Sequence, residues 1–189
     1  MSVAEQTLLD KVAAKLGQAP TYTESSAAGS ILTVAAASYG SKPLGEEVTQ
    51  PTGFDPQVAA LFEAVVEGAY LVANADGEFD DTERSAFMQV VVTACRDRVE
   101  ARQIDALLAD LADQLEEDGM DKRVQMVARA VQKEEHALEV LRIACLLAHV
   151  SGGVSDDERD VLGKLARGFK LNSAALERAL NEAERALAD

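Results

Sequence analysis

The stretch YLVANADGEFDDTER, from Tyr70 to Arg84, has a counterpart 75 residues further on, CLLAHVSGGVSDDER, from Cys145 to Arg159. Leu71, Ala73, Gly77, Asp81, Glu83 and Arg84 recur as Leu146, Ala148, Gly152, Asp156, Glu158 and Arg159. Each copy passes from an apolar run through a glycine into an acidic segment. An apolar helix that has to stop favours a left-handed residue at its end, and glycine adopts that conformation without strain. Asp80-x-x-Glu83 and Ser155-x-x-Glu158 are capping-box patterns, in which the first side chain accepts from the backbone and the glutamate reaches back. Both copies therefore read as helix–turn–helix. Their repetition predicts two helical halves related by a pseudo-twofold axis.

The pattern on either side agrees. Asp55 followed by Pro56 is a capping side chain with proline at the first helical position, and an apolar helix follows to about Ala75. Phe87, Val90, Val91, Ala94 and Cys95 are spaced i, i+3, i+4, i+7, i+8, the stripe of an amphipathic helix. Ile104 to Leu115, Val124 to Val131, Val161 to Phe169 and Leu176 to Leu187 carry similar stripes, and Leu138 to Val150 is apolar nearly all round. A helix of that kind belongs at the centre of a bundle. The expected class is all-α, a compact bundle of about seven helices over residues 55–189, built from two pseudo-repeated halves. Residues 1–54 read as a less regular N-terminal extension. Val3, Leu8, Leu9, Val12 and Leu16 suggest one weak amphipathic helix there. Gly17 to Asp55 is rich in Ser, Thr, Gly and Ala, holds three of the four prolines, and reads as a linker. Its apolar run Ile31 to Ala37 is a candidate docking segment for a protein partner, with helix and strand both open.

Composition narrows the function. The chain has 33 acidic and 18 basic residues, a net charge of -15. Phosphate backbones and anionic membrane surfaces are recognised by clustered Lys and Arg, so neither nucleic acid nor membrane is the expected partner. Hydrophobic residues make up 48% of the chain, which argues against disorder, while aromatics are only 4%. The core must be built mainly from Ala, Val and Leu. Cys95 and Cys145 sit at apolar helical positions outside any C-x-x-C motif and read as small core residues of a reducing compartment. No basic-then-apolar leader opens the sequence, and no stretch of membrane-spanning length lacks charges. The expected location is the cytoplasm.

The turns carry the chemistry. As helix caps they account for Gly77, Gly152, Glu83 and Glu158, but not for Asp76 or Glu78. Asp76, Glu78, Asp80 and Glu83 place four carboxylates in or beside one turn, and Asp156 and Glu158 recur in the second. Hard divalent cations take several oxygen ligands, so calcium is expected sooner than zinc. Aligned as an EF-hand loop with Gly77 at position six, the first ligand would be Val72, and in the second copy Leu147. Neither offers an oxygen side chain, so neither copy supplies an EF-hand ligand set.

At these turns the sequence resembles the TerB-like family of tellurite-resistance and stress proteins. Ala75, Asp76 and Gly77 with the following Glu83, and Gly152 with Glu158, carry the resemblance, supported by the helix pattern from about Phe54 to Leu187. The resemblance implies an all-helical fold of two halves, shared with domains attached to J-domain co-chaperones. It also implies acidic turns that bind metal ions and a role as a binding module in stress-response or membrane-associated assemblies. Asp76 and Glu83 match the first acidic turn and Glu158 the second, where Ser151 replaces an aspartate.

No enzyme is expected. His136 and His149 are the only histidines, and neither belongs to an E-x-x-H or H-E-x-x-H pattern. The functional expectation is a non-enzymatic, metal-responsive module, with a purely structural protein–protein interaction domain as the alternative.

Overall fold

A computed structural model describes residues 2–20, 29–42, 53–96 and 98–188, and those residues fold into helices, turns and short connections without a strand. In chain order the helices are α1 (Val3–Leu16), α2 (Ile31–Gly40), α3 (Pro56–Ala73), α4 (Asp81–Ala94) and α5 (Ala101–Asp118). They continue with α6 (Met120–Ala130), α7 (Glu134–Ala148), α8 (Asp156–Gly168) and α9 (Ser173–Ala188). The all-α bundle is as expected, and its helices exceed the expected seven by α1 and α2.

Two apolar helices, α3 and α7, lie against each other at the centre. Each feeds a turn and then a shorter amphipathic helix, α4 after α3 and α8 after α7. The repeat extends one helix further than the sequence match. Arg84 of α4 pairs with Asp105 of α5 at 2.8 Å, and the recurring Arg159 of α8 pairs with Glu177 of α9. Both pairs are solvent-exposed, so each adds little stability. Their value is as a register mark: α3–α4–α5 and α7–α8–α9 are corresponding triplets, joined through α6.

Phe62, Leu71, Ile104, Leu108, Leu141, Ile143, Leu162 and Leu165 are almost fully buried in one continuous core. Cys95 and Cys145 are buried free thiols, and burial pushes both up to about 12. They act as small apolar residues. The helix α3 is long and apolar enough to cross a membrane. Here its length is instead largely enclosed by α2, α6 and α7.

Within the stretch from Gly17 to Asp55, read as a linker, the apolar run left open between helix and strand is helical over residues 31–40. That segment is the helix α2, and the rest of the expected linker falls mostly outside the described residues. Ser30 caps α2, its hydroxyl accepting from the Thr33 N–H. Leu32, Ala35, Ala36 and Tyr39 are buried, and the Tyr39 ring stacks on Phe62 of α3 with centroids 4.6 Å apart. A charge-free segment of small residues lacks a polar face to mark its helical period, so only packing reveals it. Its C-terminal end is tight. A Cβ on Gly40 would lie 1.8 Å from the Arg98 carbonyl oxygen. Gly40→Ala is therefore expected to cost about 1–3 kcal/mol by overpacking, read as a lower urea midpoint at unchanged slope. An unchanged midpoint would mean that α2 does not seat against the Arg98 backbone.

Candidate functional site

The first acidic turn begins where α3 ends. Gly77 has φ +84°, the left-handed conformation expected of it. Asp76 closes a small side-chain turn, its Oδ1 accepting from the Glu78 N–H at 3.0 Å. Asp80 caps α4, accepting from the Thr82 and Glu83 N–H groups at 2.7 and 2.8 Å. Glu83 returns to accept from the Asp80 N–H at 3.2 Å, completing the capping box. In the second turn Gly152 has φ +112°. Ser155 and Glu158 form the corresponding box, with Glu158 Oε2 accepting from the Ser155 N–H at 2.8 Å. Asp81 and Asp156 lie in the first turns of α4 and α8, where a negative charge complements the helix dipole.

Packing α3 beside α7 turns the two loops toward each other. Glu158 is buried, and burial pushes its carboxyl above the ordinary range. The Asp76 and Glu83 carboxylates of the other turn push it the same way, against the hydrogen bonds from Ser155. Of the six residues singled out in the sequence, Asp76 and Glu83 thus act across the turns on Glu158. Glu78, Asp80 and Asp156 remain exposed on the turns and are not drawn into that group. His149 is turned away from it, with Nδ1 2.7 Å from the Cys145 carbonyl of its own helix.

Carboxylates are the donors a hard cation takes, and each of these uses one oxygen in the capping and turn bonds described above. Among the described residues, however, no three His, Cys, Asp or Glu side chains are gathered so as to hold a metal ion. The donor chemistry fits a cation. The arrangement is not a preformed coordination shell.

Beside the first turn the surface is hollow. A cavity of about 280 Å³ lies between α4 and the end of α7, lined by Phe79, Phe87, Leu147 and Val150 with Asp80 and Glu83 at its edge. A second, of about 380 Å³, lies between α1 and α4 and is lined by Leu8, Leu9 and Val150 with Glu5 and Asp81.

Two buried charge clusters went unread in the sequence. Glu67 of α3 and Arg123 of α6 pair at 2.6 Å, and Arg123 also meets Asp118 at 3.1 Å. Arg142 of α7 holds Glu182 of α9 at 3.1 Å and donates to the Lys15 carbonyl at the end of α1 at 2.7 Å. Both clusters join helices and open onto neither cavity. Glu67 within the apolar run of α3 was the sequence signal of the first cluster, and Arg142 within the apolar run of α7 that of the second.

A family model described as Tellurite resistance protein TerB matches residues 62–181. No curated protein and no solved structure gives a significant match to the chain.

Proposed function

The chain belongs to the TerB family of tellurite resistance proteins, and from that premise we propose that it is a non-enzymatic, cytoplasmic binding module responsive to a divalent cation. One observation carries the reading: beyond the effect of burial, the Asp76 and Glu83 carboxylates of one turn add their repulsion to the raised Glu158 carboxyl of the other. A cation relieves that repulsion and draws the turns together, so its binding is felt by α4 and α8, which the turns begin. Calcium suits carboxylate oxygens better than zinc does. The module then serves a stress-response or scaffold assembly as its protein-binding component.

A second reading keeps the interaction role and drops the ion. It is favoured by the completeness of both capping boxes, which use Asp80, Glu83 and Glu158 without any cation. Thermal melts of wild type and Glu83→Ala, each in chelator and in saturating calcium, separate the two. In chelator the variant is expected to lose about 1 kcal/mol, the size of a capping effect. In calcium at a hundred times the dissociation constant, wild type gains about 2.7 kcal/mol by linkage, so the loss grows several-fold. Equal losses in both conditions leave Glu83 as a cap and favour the second reading.

A further inference from the structure

The two cavities beside the first turn are neighbours. Thr82, Ala86 and Val150 line both, so together they form one groove running along α4 between α1 and the end of α7. Its floor is apolar: Phe79, Phe87 and Leu147 in one half, Leu8 and Leu9 in the other. The floor is also rigid at its aromatic end, where Phe79 packs edge-on against both Tyr70 and Phe87, with centroids 5.4 and 6.0 Å apart. The rim is of one sign. Glu5, Asp80, Asp81 and Glu83 line the groove, and no Lys, Arg or His does so among the described residues. One wall of the groove, Glu5, Leu8 and Leu9, comes from α1, which lies outside the matched family region of residues 62–181.

We propose that this groove is a docking site for a basic amphipathic helix of a partner protein. Two adjoining apolar hollows suit side chains three or four residues apart on one helical face, the spacing by which helices lie in grooves. The acidic rim selects the flanks of that helix, because Lys and Arg beside the apolar stripe find carboxylates while Glu and Asp meet repulsion. An excess of acidic over basic residues across the whole chain acts in the same direction at longer range. The proposal rests on the binding-module part of the functional reading and requires no cation, although Glu83 belongs to both the rim and the cation reading.

The test is a calorimetric titration of the full chain, in chelator, with two synthetic helical peptides. Both carry leucines spaced three and four apart, one with lysine and the other with glutamate at the flanking positions. The lysine peptide is expected to bind at one site, more weakly as salt rises, and the glutamate peptide not at all. Ala86→Arg places a bulky cation in the middle of the groove and is expected to weaken the lysine peptide at least about tenfold. Unchanged affinity in that variant would mean attraction by net charge alone and would overturn the proposal. So would a protein that sediments as a dimer and becomes monomeric with Ala86→Arg, since the groove would then hold a second copy. Should circular dichroism show Ala86→Arg unfolded, the Glu5→Gln, Asp81→Asn double variant replaces it. That variant is expected to weaken binding several-fold and flatten its salt dependence, and an unaltered titration overturns the proposal equally. A separate calcium titration reports on the cation alone, so failure of either reading is visible without the other.

Discussion

Arg123→Ala is expected to destabilise the fold by about 3–5 kcal/mol, the cost of leaving one member of a buried ion pair without its partner. Glu67 sits in the middle of α3, 7% exposed, and Arg123 of α6 is 9% exposed. The guanidinium Nε donates to Glu67 Oε1 at 2.7 Å, and its Nη1 donates to Asp118 at 3.1 Å. Burial already pushes the Glu67 carboxyl upward against the pull of Arg123. Without the arginine, desolvation acts unopposed and the carboxylate must take up a proton or admit water. Urea denaturation near neutral pH reads the loss directly. The companion is the double variant Arg123→Met, Glu67→Leu, which removes both charges and is expected to recover most of the stability, because buried pairs are replaceable by apolar groups of similar volume. A loss under about 1 kcal/mol for Arg123→Ala would show that α6 does not close over α3.

Raising pH is expected to weaken the protein through Glu139, and Glu139→Gln is expected to abolish that part of the response. The carboxylate is 4% exposed, on α7, and accepts from the Ile31 N–H at 2.8 Å at the start of α2. Burial raises its pKa to about 7, and Glu135 adds to the rise, while the Ile31 hydrogen bond and Arg142 act against it. The folded state therefore keeps a proton that the unfolded chain, titrating at the ordinary 4.5, releases. Stability from this group is fully present below the unfolded value and is lost as pH rises through about 7. The loss amounts to roughly 2–3 kcal/mol. Glutamine keeps an oxygen for Ile31 and cannot ionise. Relative to wild type, Glu139→Gln should gain ground from about pH 5 to about pH 7 and level off above that in urea denaturation. Glu67 and Glu158 are shifted in the same direction, so only the difference between the two proteins isolates Glu139. Parallel profiles would place Glu139 in water.

What could be read from residue order was whatever local chemistry determines. Asp80, Glu83, Ser155 and Glu158 announce their caps because a capping box spans four residues. The stripes of α4, α5, α8 and α9 are visible because each has one wet face. The helix α2 lacks both signals. Its place depends on Phe62 beneath Tyr39 and on Glu139 at its N-terminus, more than a hundred residues away in sequence. Arg123 was invisible as the partner of Glu67 for the same reason. At the turns, sequence distinguished carboxylates that cap from those that do not. The approach of Glu158 to Asp76 and Glu83 required α3 and α7 to be neighbours. The groove required α1 to lie on α4, and a weak amphipathic pattern says nothing about where such a helix lands.

Calorimetric titration of the chelator-stripped protein with calcium, repeated with zinc and manganese, tests the account most directly. It predicts saturable calcium binding at a defined stoichiometry, weakened by Asp76→Asn and by Glu83→Gln in protein that remains folded. Folded protein that gives no heat with any of the three ions would contradict it, leaving the acidic turns as helix caps alone.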